Sequence, residues 1–387
     1  MIATESGASV PLAFEPARRL AEYEMLLEVG IKLSGTLDPS TVLELALEYA
    51  EQVCQAETSS IWEVDEKRRD LFFRVVRGQA AKSIRGMRLP LGEGIVGSVA
   101  LSGEAEMVND VAADPRWHGD PSGAFQTRSI LTVPLLAQGS VIGVVQLLNP
   151  VNRDRFTEGD LWRMRQFAAI LAPPLQNARL HAAQSRQYLT MASMLADSLE
   201  KRDPYTGGHV RRVVGYSWLL GEEMGLGRDD LRDLWLAATL HDIGKISVPD
   251  RILGKPAPLD PDEAELMKLH TVFGAEIVTP LDNPKVLCGV RNHHERLDGK
   301  GYPDGLKDPE IPLSARIIAV ADTFDAMTTS RPYRTALPHE LAAAEIAANS
   351  GTQLCPRVVE AFRRLFEAGR FNAEAAEGLP EGLFEPG

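Results

Sequence analysis

The spacing of apolar residues changes character along this chain of 387 residues, and the change excludes any single uniform fold. The first part holds short runs rich in β-branched residues, at 59–64, 71–76, 130–136 and 141–148. Ala137-Gln-Gly-Ser140 joins the last two as a hairpin-like connection. Helical spacing precedes them at 17–34 and 39–55, where Asp38 can cap the second helix with Pro39 at its first position. Leu91-Gly-Glu-Gly-Ile-Val-Gly97 reads as a loop entering a short helix. Such a mixture points to an antiparallel sheet with helices packed on it, an α+β unit. From residue 200 to 371 the pattern is almost entirely helical, in the stretches 210–225, 230–247, 261–281, 284–294, 312–329, 338–350 and 356–368. Short Gly- and Pro-containing joints between them imply a compact all-α bundle.

A heptad repeat connects the two parts: Leu161, Met164, Ala168, Leu171, Leu175, Ala178, Ala182, Ser185, Leu189, Ala192, Ala196 and Leu199. It predicts a long linker helix that pairs with a second copy as a parallel homodimer. Pro173 and Pro174 interrupt the repeat, and each removes an amide donor, so a kink or a restart is expected there.

The net charge of −13 argues against DNA or RNA as a partner, because general nucleic-acid binding needs a basic face. A small anionic ligand stays possible, since a local basic pocket survives on an acidic protein. Cys54, Cys288 and Cys355 are scattered and form no CxxC pair, which favours a reducing interior over a disulfide framework. The first residues do not read as a signal peptide, and no run of 18 apolar residues occurs. The expectation is a cytoplasmic protein with no membrane span.

The chemistry concentrates in the helical part. Five of the eight histidines are His209, His241, His270, His293 and His294, and acids stand at Asp242 and, in an apolar run, at Asp322. Imidazole and carboxylate suit first-row transition metals, and paired ions suit hydrolysis of phosphate esters. On a helix Asp242 projects about 100° away from His241, so the two can serve different ions with Asp242 bridging. His241 and Lys245, four apart, share a helix face. His293 and His294 can likewise serve opposite metals. Asp325, one turn after Asp322, is a candidate to orient the nucleophile or take its proton. His118, His181 and His339 lack neighbouring ligands, and Trp62, Trp162, Trp218 and Trp235 read as core.

Two resemblances follow from particular motifs. Leu91–Gly97, Ser129-Ile-Leu-Thr-Val-Pro-Leu135, Gly143-Val-Val-Gln-Leu-Leu-Asn149 and Phe156-Thr-Glu-Gly-Asp160 make the first part resemble a GAF domain. That family implies a dimerising sensor module with an unknown small ligand. Asn149, Phe156 and Asp160 match the pattern of its cyclic-nucleotide-binding members, but Pro150 and Leu161 replace a lysine and a glutamate. A structural role for the three matching residues is the simpler reading. The second part resembles the HD-GYP subgroup of the HD phosphohydrolases. It does so through Asp203-Pro-Tyr-Thr-Gly-Gly-His209, His241-Asp-Ile-Gly-Lys245, Met267-Lys-Leu-His270, His293-His-Glu-Arg-Leu-Asp-Gly-Lys-Gly-Tyr-Pro303, Ala321-Asp-Thr-Phe-Asp-Ala326 and Arg331-Pro-Tyr-Arg334.

The resemblance implies an all-helical fold and hydrolysis of cyclic di-GMP to pGpG, sometimes on to GMP. Another cyclic dinucleotide, such as cyclic GMP-AMP, is the alternative substrate, and a catalytically silent dinucleotide-binding scaffold the alternative class. Carried over by position, the implied metal ligands are His209, His241, Asp242, His270, His293, His294 and Asp322. Tyr205 stands where some relatives place the glutamate for a third ion, so two divalent ions, iron or manganese, are expected. Lys245, Arg331 and Arg334 are candidate phosphate holders, and Tyr302 a candidate guanine contact. Cys355 replaces a frequent aspartate before Pro356, which predicts only a weaker helix cap. The expected organisation is a tail at 1–19, a GAF-like sensor at 20–172, a linker helix at 173–199, an HD-GYP-like unit at 200–371 and a tail at 372–387.

Overall fold

The computed structural model describes residues 14–78, 87–117, 119, 125–202, 208–330 and 335–372. His118, Tyr205, Arg331 and Arg334 lie outside the described residues. The chain divides into two units, with the boundary between Gln184 and Ser185.

In the first unit, helices α1 (Phe14–Ser34) and α2 (Pro39–Cys54) precede strands β1 (Ala56–Asp65), β2 (Asp70–Gly78) and β3 (Arg88–Pro90). Helix α3 (Gly94–Ser102) and strands β4 (Glu106–Val108), β5 (Ile130–Ala137) and β6 (Ser140–Pro150) complete the sheet unit. Asp38 caps α2 by accepting from Thr41 N at 2.9 Å, with Pro39 following. The sheet order is β3-β2-β1-β6-β5-β4, and every pair is antiparallel. Gln138 and Gly139 both adopt positive φ, 50° and 82°, the geometry that a two-residue hairpin between right-twisted strands requires.

The period-2 pattern of the long strands gives the sheet two different faces. Ile61, Leu131, Val133, Val145 and Leu147 pack against α1 and α2, while Trp62, Leu71 and Val144 pack against Val96 and Val99 of α3. Three of the four tryptophans read as core are buried, but Trp162 is 39% exposed. It lies near the start of a helix, where flanking apolar residues did not distinguish the inner face from the outer one.

A single helix, α4 (Glu158–Glu200), runs without a restart through Pro173 and Pro174. Leu171, Ala172 and Leu175 around the prolines are fully buried, so tertiary packing holds the backbone where local propensity opposes it. The heptad positions do not form a free seam for a second copy. Leu161, Met164, Ala168, Leu171, Leu175 and Ala178 belong to the core of the first unit, and Leu189, Ala192 and Ala196 are also buried. A 3,4 spacing marks one apolar stripe, and here the chain's own core takes that stripe. The exposed apolar residues of α4 are instead Leu180, Tyr188, Met191, Met194 and Leu195, with Trp162 near its start.

The second unit is helical: α5 (His209–Glu223), α6 (Arg228–Leu240), α7 (Asp250–Leu253), α8 (Pro261–Lys268), α9 (His270–Val278), α10 (Pro284–Asn292), α11 (Leu313–Thr328), α12 (His339–Ala348) and α13 (Pro356–Glu367). The stretch 230–247 is not one helix. α6 ends at Leu240, and a 3₁₀ turn, Ile243–Ser247, follows. Gly244 permits this turn to lie against the start of α9, since a Cβ there would collide with the carbonyl of His270. No helix among the described residues is long and apolar enough to cross a membrane.

Candidate metal centre

All seven side chains expected as ligands converge in the helical unit. His209 opens α5, His241 and Asp242 follow the end of α6, and His270 opens α9. His293 and His294 follow α10, while Asp322 lies inside α11. Three sets of donor atoms each lie within 4.8 Å of one another: His270, His293 and His294; His209, His241 and Asp322; and His241, Asp242 and His293.

Asp242 stands between the sets. Its Oδ2 is 3.4 Å from His241 Nε2 and 3.8 Å from His209 Nε2, while its Oδ1 is 3.4 Å from His270 Nε2. His209 Nε2 also lies 3.5 Å from Asp322 Oδ1, and the Nε2 atoms of His270 and His293 are 3.5 Å apart. His209, His241, His270 and His293 are each at most 5% exposed.

Electrostatics fix the protonation of these groups. Burial pushes His293 and His294 well below the usual imidazole range, and neighbouring histidines push them further. Burial also lowers His270. Burial would lower His241 as well, but Asp242 and Asp322 outweigh it and leave it raised. For Asp242, burial favours the neutral acid, yet Lys245, His241 and His270 together hold it well below the ordinary carboxylate range. The result is neutral imidazoles at His270, His293 and His294 beside an ionised Asp242.

One atom tests whether this set fits a cation. His241 Nε2 is buried and makes no hydrogen bond, although Asp242 Oδ2 lies close. Among the buried side-chain atoms of the described residues that make no hydrogen bond, it is the one imidazole nitrogen. An ion is among the partners that resolve such an atom. The nitrogen and oxygen donors around it suit a first-row transition metal. The residues fit the group.

Lys245 does not share a helix face with His241 as helical spacing predicts. The 3₁₀ turn brings residues three apart together, so Lys245 Nζ reaches Asp242 Oδ2 at 2.6 Å. The Tyr302 ring lies 4.8 Å from that of His294, tilted by 31°, with Lys268 Nζ 5.7 Å from the Tyr302 centroid. Burial raises the Tyr302 phenol above its ordinary value, so it stays protonated.

Asp325 is 1% exposed, and its carboxylate meets His209 Nδ1 at 2.7 Å and Arg212 Nε at 2.5 Å. Arg212 went unnoticed in the sequence, although its place three residues after His209 on one helix was a usable signal. Glu295 is a second such residue. Buried, it accepts from the backbone N–H groups of Asp304, Gly305 and Leu306, which shapes the loop that carries Tyr302. Glu200 is a third: its Oε1 accepts from Val210 N at 3.2 Å, which ties the last residue of α4 to the helix that begins with His209. Ala196, Leu199 and Glu200 line one small cavity with His209, Asp242 and Lys245.

Elsewhere the simpler readings hold. Asn149 bonds Arg128 N, Ser129 N, Glu57 and the carbonyl of Gln126, which makes it a structural cross-link. Phe156 is core, and Asp160 lies in a closed network with Arg153, Arg163 and Thr157. His181 is exposed, and the His339 ring packs 5.6 Å from Phe324. Cys355 caps α13 with no side-chain hydrogen bond to the helix end.

Comparison with known proteins gives this site its context. Residues 193–358 match the family model of the HD domain, and residues 36–174 match that of the GAF domain. A cyclic di-GMP phosphodiesterase of Thermotoga maritima is 47% identical over 182 residues, covering 46% of this chain and 49% of that protein. The cyclic di-GMP phosphodiesterase response regulator RpfG of Xanthomonas campestris pv. campestris is 40% identical over 190 residues, covering 48% and 50%. The 3'3'-cGAMP-specific phosphodiesterase 3 of Vibrio cholerae is 37% identical over 194 residues, covering 49% and 42%. The chain spans about half the length of these relatives. It joins a GAF domain to an HD domain.

Proposed function

We propose that this GAF–HD chain is a metal-dependent phosphodiesterase of the HD-GYP type, hydrolysing cyclic di-GMP to pGpG. The observation that carries the reading is the convergence of seven ligand-type side chains around the unpartnered His241 Nε2. Similarity to proteins named for cyclic di-GMP hydrolysis supports the substrate. Similarity to a 3'3'-cGAMP-specific enzyme supports that dinucleotide as a second reading.

Two divalent ions, iron or manganese, are the cofactors of this proposal. His209, His241 and Asp322 would hold one, His270, His293 and His294 the other, and Asp242 would lie between them. Bound there, they would acidify a water and neutralise charge gained by the phosphate. In the hydrolysis, water oxygen bonds to phosphorus, the bond from phosphorus to the ribose 3′ oxygen breaks, and that oxygen takes a proton. Lys245 keeps Asp242 ionised and supplies positive charge for the phosphate oxygens. Arg331 and Arg334 are assigned the same role from their motif. Tyr302, held by the Glu295 loop and kept protonated, offers a flat face to a guanine.

Residues 20–172 are assigned to sensing a small ligand, 173–199 to linking and 200–371 to hydrolysis, with tails on either side. A homodimer through α4 is retained on its exposed stripe of Tyr188, Met191 and Leu195. The three unpaired cysteines fit a cytoplasmic setting. Purified protein supplied with Mn²⁺ or Fe²⁺ should open cyclic di-GMP, while a His241→Ala/Asp242→Ala variant loses roughly ten-thousandfold or more in turnover. Chromatography of products from both dinucleotides decides the substrate. Equal turnover by the double variant overturns the reading.

A further inference from the structure

Three of the site's histidines orient their rings in the same way. His241 Nδ1 bonds the carbonyl of Ala238 at 2.7 Å, His270 Nδ1 that of Met267 at 2.6 Å, and His293 Nδ1 that of Val290 at 2.8 Å. Each acceptor lies three residues earlier, at or near the end of a helix. Carbonyls at a helix end lack the usual donor one turn on, so the imidazole supplies one, although Met267 O also takes the Leu269 N–H. A carbonyl only accepts, so the proton lies on Nδ1 and the lone pair on Nε2, the atom that faces the other ligands.

His209 does not use this device, although it opens α5 as His270 opens α9. Its Nδ1 instead meets Asp325 Oδ2 at 2.7 Å. Asp325 comes from α11, one turn after Asp322, so one helix meets both ring nitrogens of His209 with acids. Arg212 then holds the carboxylate in place. Its Nε lies 2.5 Å from Asp325 Oδ1, and an Nη2 hydrogen bond at 3.2 Å reaches Oδ2. The same Nη2 bonds Thr329 Oγ1 at 3.2 Å, which fixes the guanidinium to the end of α11.

We propose that Asp325, clamped by Arg212, is a positioning residue that gives His209 the acceptor that helix-end carbonyls give His241, His270 and His293. Its work is to keep the His209 proton on Nδ1 and the Nε2 lone pair towards Asp322 and Asp242. It therefore acts through His209 and neither orients nor deprotonates the nucleophile, the role that its spacing from Asp322 first suggested. A carboxylate acceptor makes a charge-assisted hydrogen bond where a backbone carbonyl does not, so the His209 ring is held the more firmly. The inference rests on the metal-centre reading above, but one of its readouts needs no metal.

The experiment compares full-length wild type, Asp325→Ala and Asp325→Asn. Histidine ring ¹⁵N spectra of the metal-free proteins report the tautomer of His209, and titration with Mn²⁺ alone reports ion number and affinity. In the alanine variant the His209 signals should move to a mixture of tautomers. One bound Mn²⁺ should weaken by about 10- to 100-fold while the other stays near wild type. Asparagine keeps an acceptor oxygen, so the Nδ1–H tautomer and most of the affinity should return. Wild-type tautomer and Mn²⁺ binding in Asp325→Ala, with turnover alone lost, would overturn the positioning role. So would equal loss of both ions in the alanine and asparagine variants, which marks a merely structural carboxylate. A wild type that binds no Mn²⁺ but keeps the Nδ1–H tautomer sinks the metal reading and leaves the His209–Asp325 pairing standing.

Discussion

The two units each bury a cluster of charge, and they finish it differently. In the sheet unit Asp160 Oδ2 accepts from Arg153, from Thr157 N and from Thr157 Oγ1, while Oδ1 accepts from Arg153 and Arg163, all between 2.6 and 3.0 Å. Both carboxylate oxygens are satisfied at the start of α4, where an acid also meets the free N–H groups of the helix. In the helical unit the donors face one another. Three histidines and a lysine share Asp242, and His241 Nε2 has no hydrogen bond. A closed polar cluster stabilises its own fold. An open one is a place for something added, and under the proposed function Asp242 belongs to that kind and Asp160 to the first.

Removing the acid from the closed cluster should have the largest effect on stability. Asp160→Ala leaves Arg153 and Arg163 beside each other without a carboxylate. The expected loss is about 3 kcal/mol, at the low end for a broken buried pair because both arginines keep some exposure. Hydrogen exchange of the β1 and β6 amides should show it, with Mn²⁺ binding unchanged. If Mn²⁺ affinity falls with it, the two clusters are not independent and the contrast fails.

The converse handle acts on the open cluster. A ligand that binds only the folded protein stabilises it by about 2.7 kcal/mol at a hundred times its dissociation constant. Mn²⁺ should therefore slow exchange in α6 and α10 by roughly that amount and leave β1 and β6 as they were. Protection in the sheet unit alone, or in neither unit, would break the assignment of the open cluster to a cation.

How much of this could be read beforehand depended on the length over which a signal repeats. The long strands and most helices declared themselves by periodicity, and the seven ligands by residue type within separate helical stretches. β3 and β4 are three residues each, too short for any period to register. The end of α6 at Leu240 was hidden because Ile243 and Ile246 extend the apolar spacing, while the close approach at Gly244 accompanies the break. The stripe of α4 was visible, but which body covers it was not, since a core and a partner helix want the same spacing. Arg212, Glu200 and Glu295 stayed unseen because a charged residue shows its partner only once the chain is folded.

Acid should separate the clusters by a smaller margin. Burial works to raise the Asp160 carboxyl, but the hydrogen bonds from Arg153, Thr157 and Arg163 overcome it and bring it from 3.8 to about 2. Because the folded value is the lower one, the stabilisation is fully present above pH 4 or so and disappears as pH falls through the folded value. The expected loss in the sheet unit is about 2 kcal/mol, from a depression of nearly two units at 1.36 kcal/mol each. Asp160→Asn should flatten that part of the pH profile. An unchanged profile in the asparagine variant assigns the acid sensitivity to other carboxylates.

The smallest effect comes from trimming the closed cluster without opening it. Thr157 donates twice to Asp160 Oδ2, through its backbone N and its hydroxyl. Valine keeps the first bond and the shape while losing the second, and the Asp160 N–H that the hydroxyl accepts at 3.3 Å keeps the Thr157 carbonyl. Oδ2 would still hold Arg153, so no charge is left bare, and the loss should be near 1 kcal/mol, the net worth of one hydrogen bond. That value distinguishes two accounts of the network. If Arg153 and Arg163 supply nearly all the compensation, Thr157→Val is close to neutral and the threonine is only a helix-start residue. If the bonds polarise one another, as members of a buried network do, the variant loses more than its single bond and a Thr157→Val/Arg153→Met cycle shows a coupling above about 0.5 kcal/mol. Denaturant midpoints for the four proteins, read by sheet-unit hydrogen exchange, choose between them.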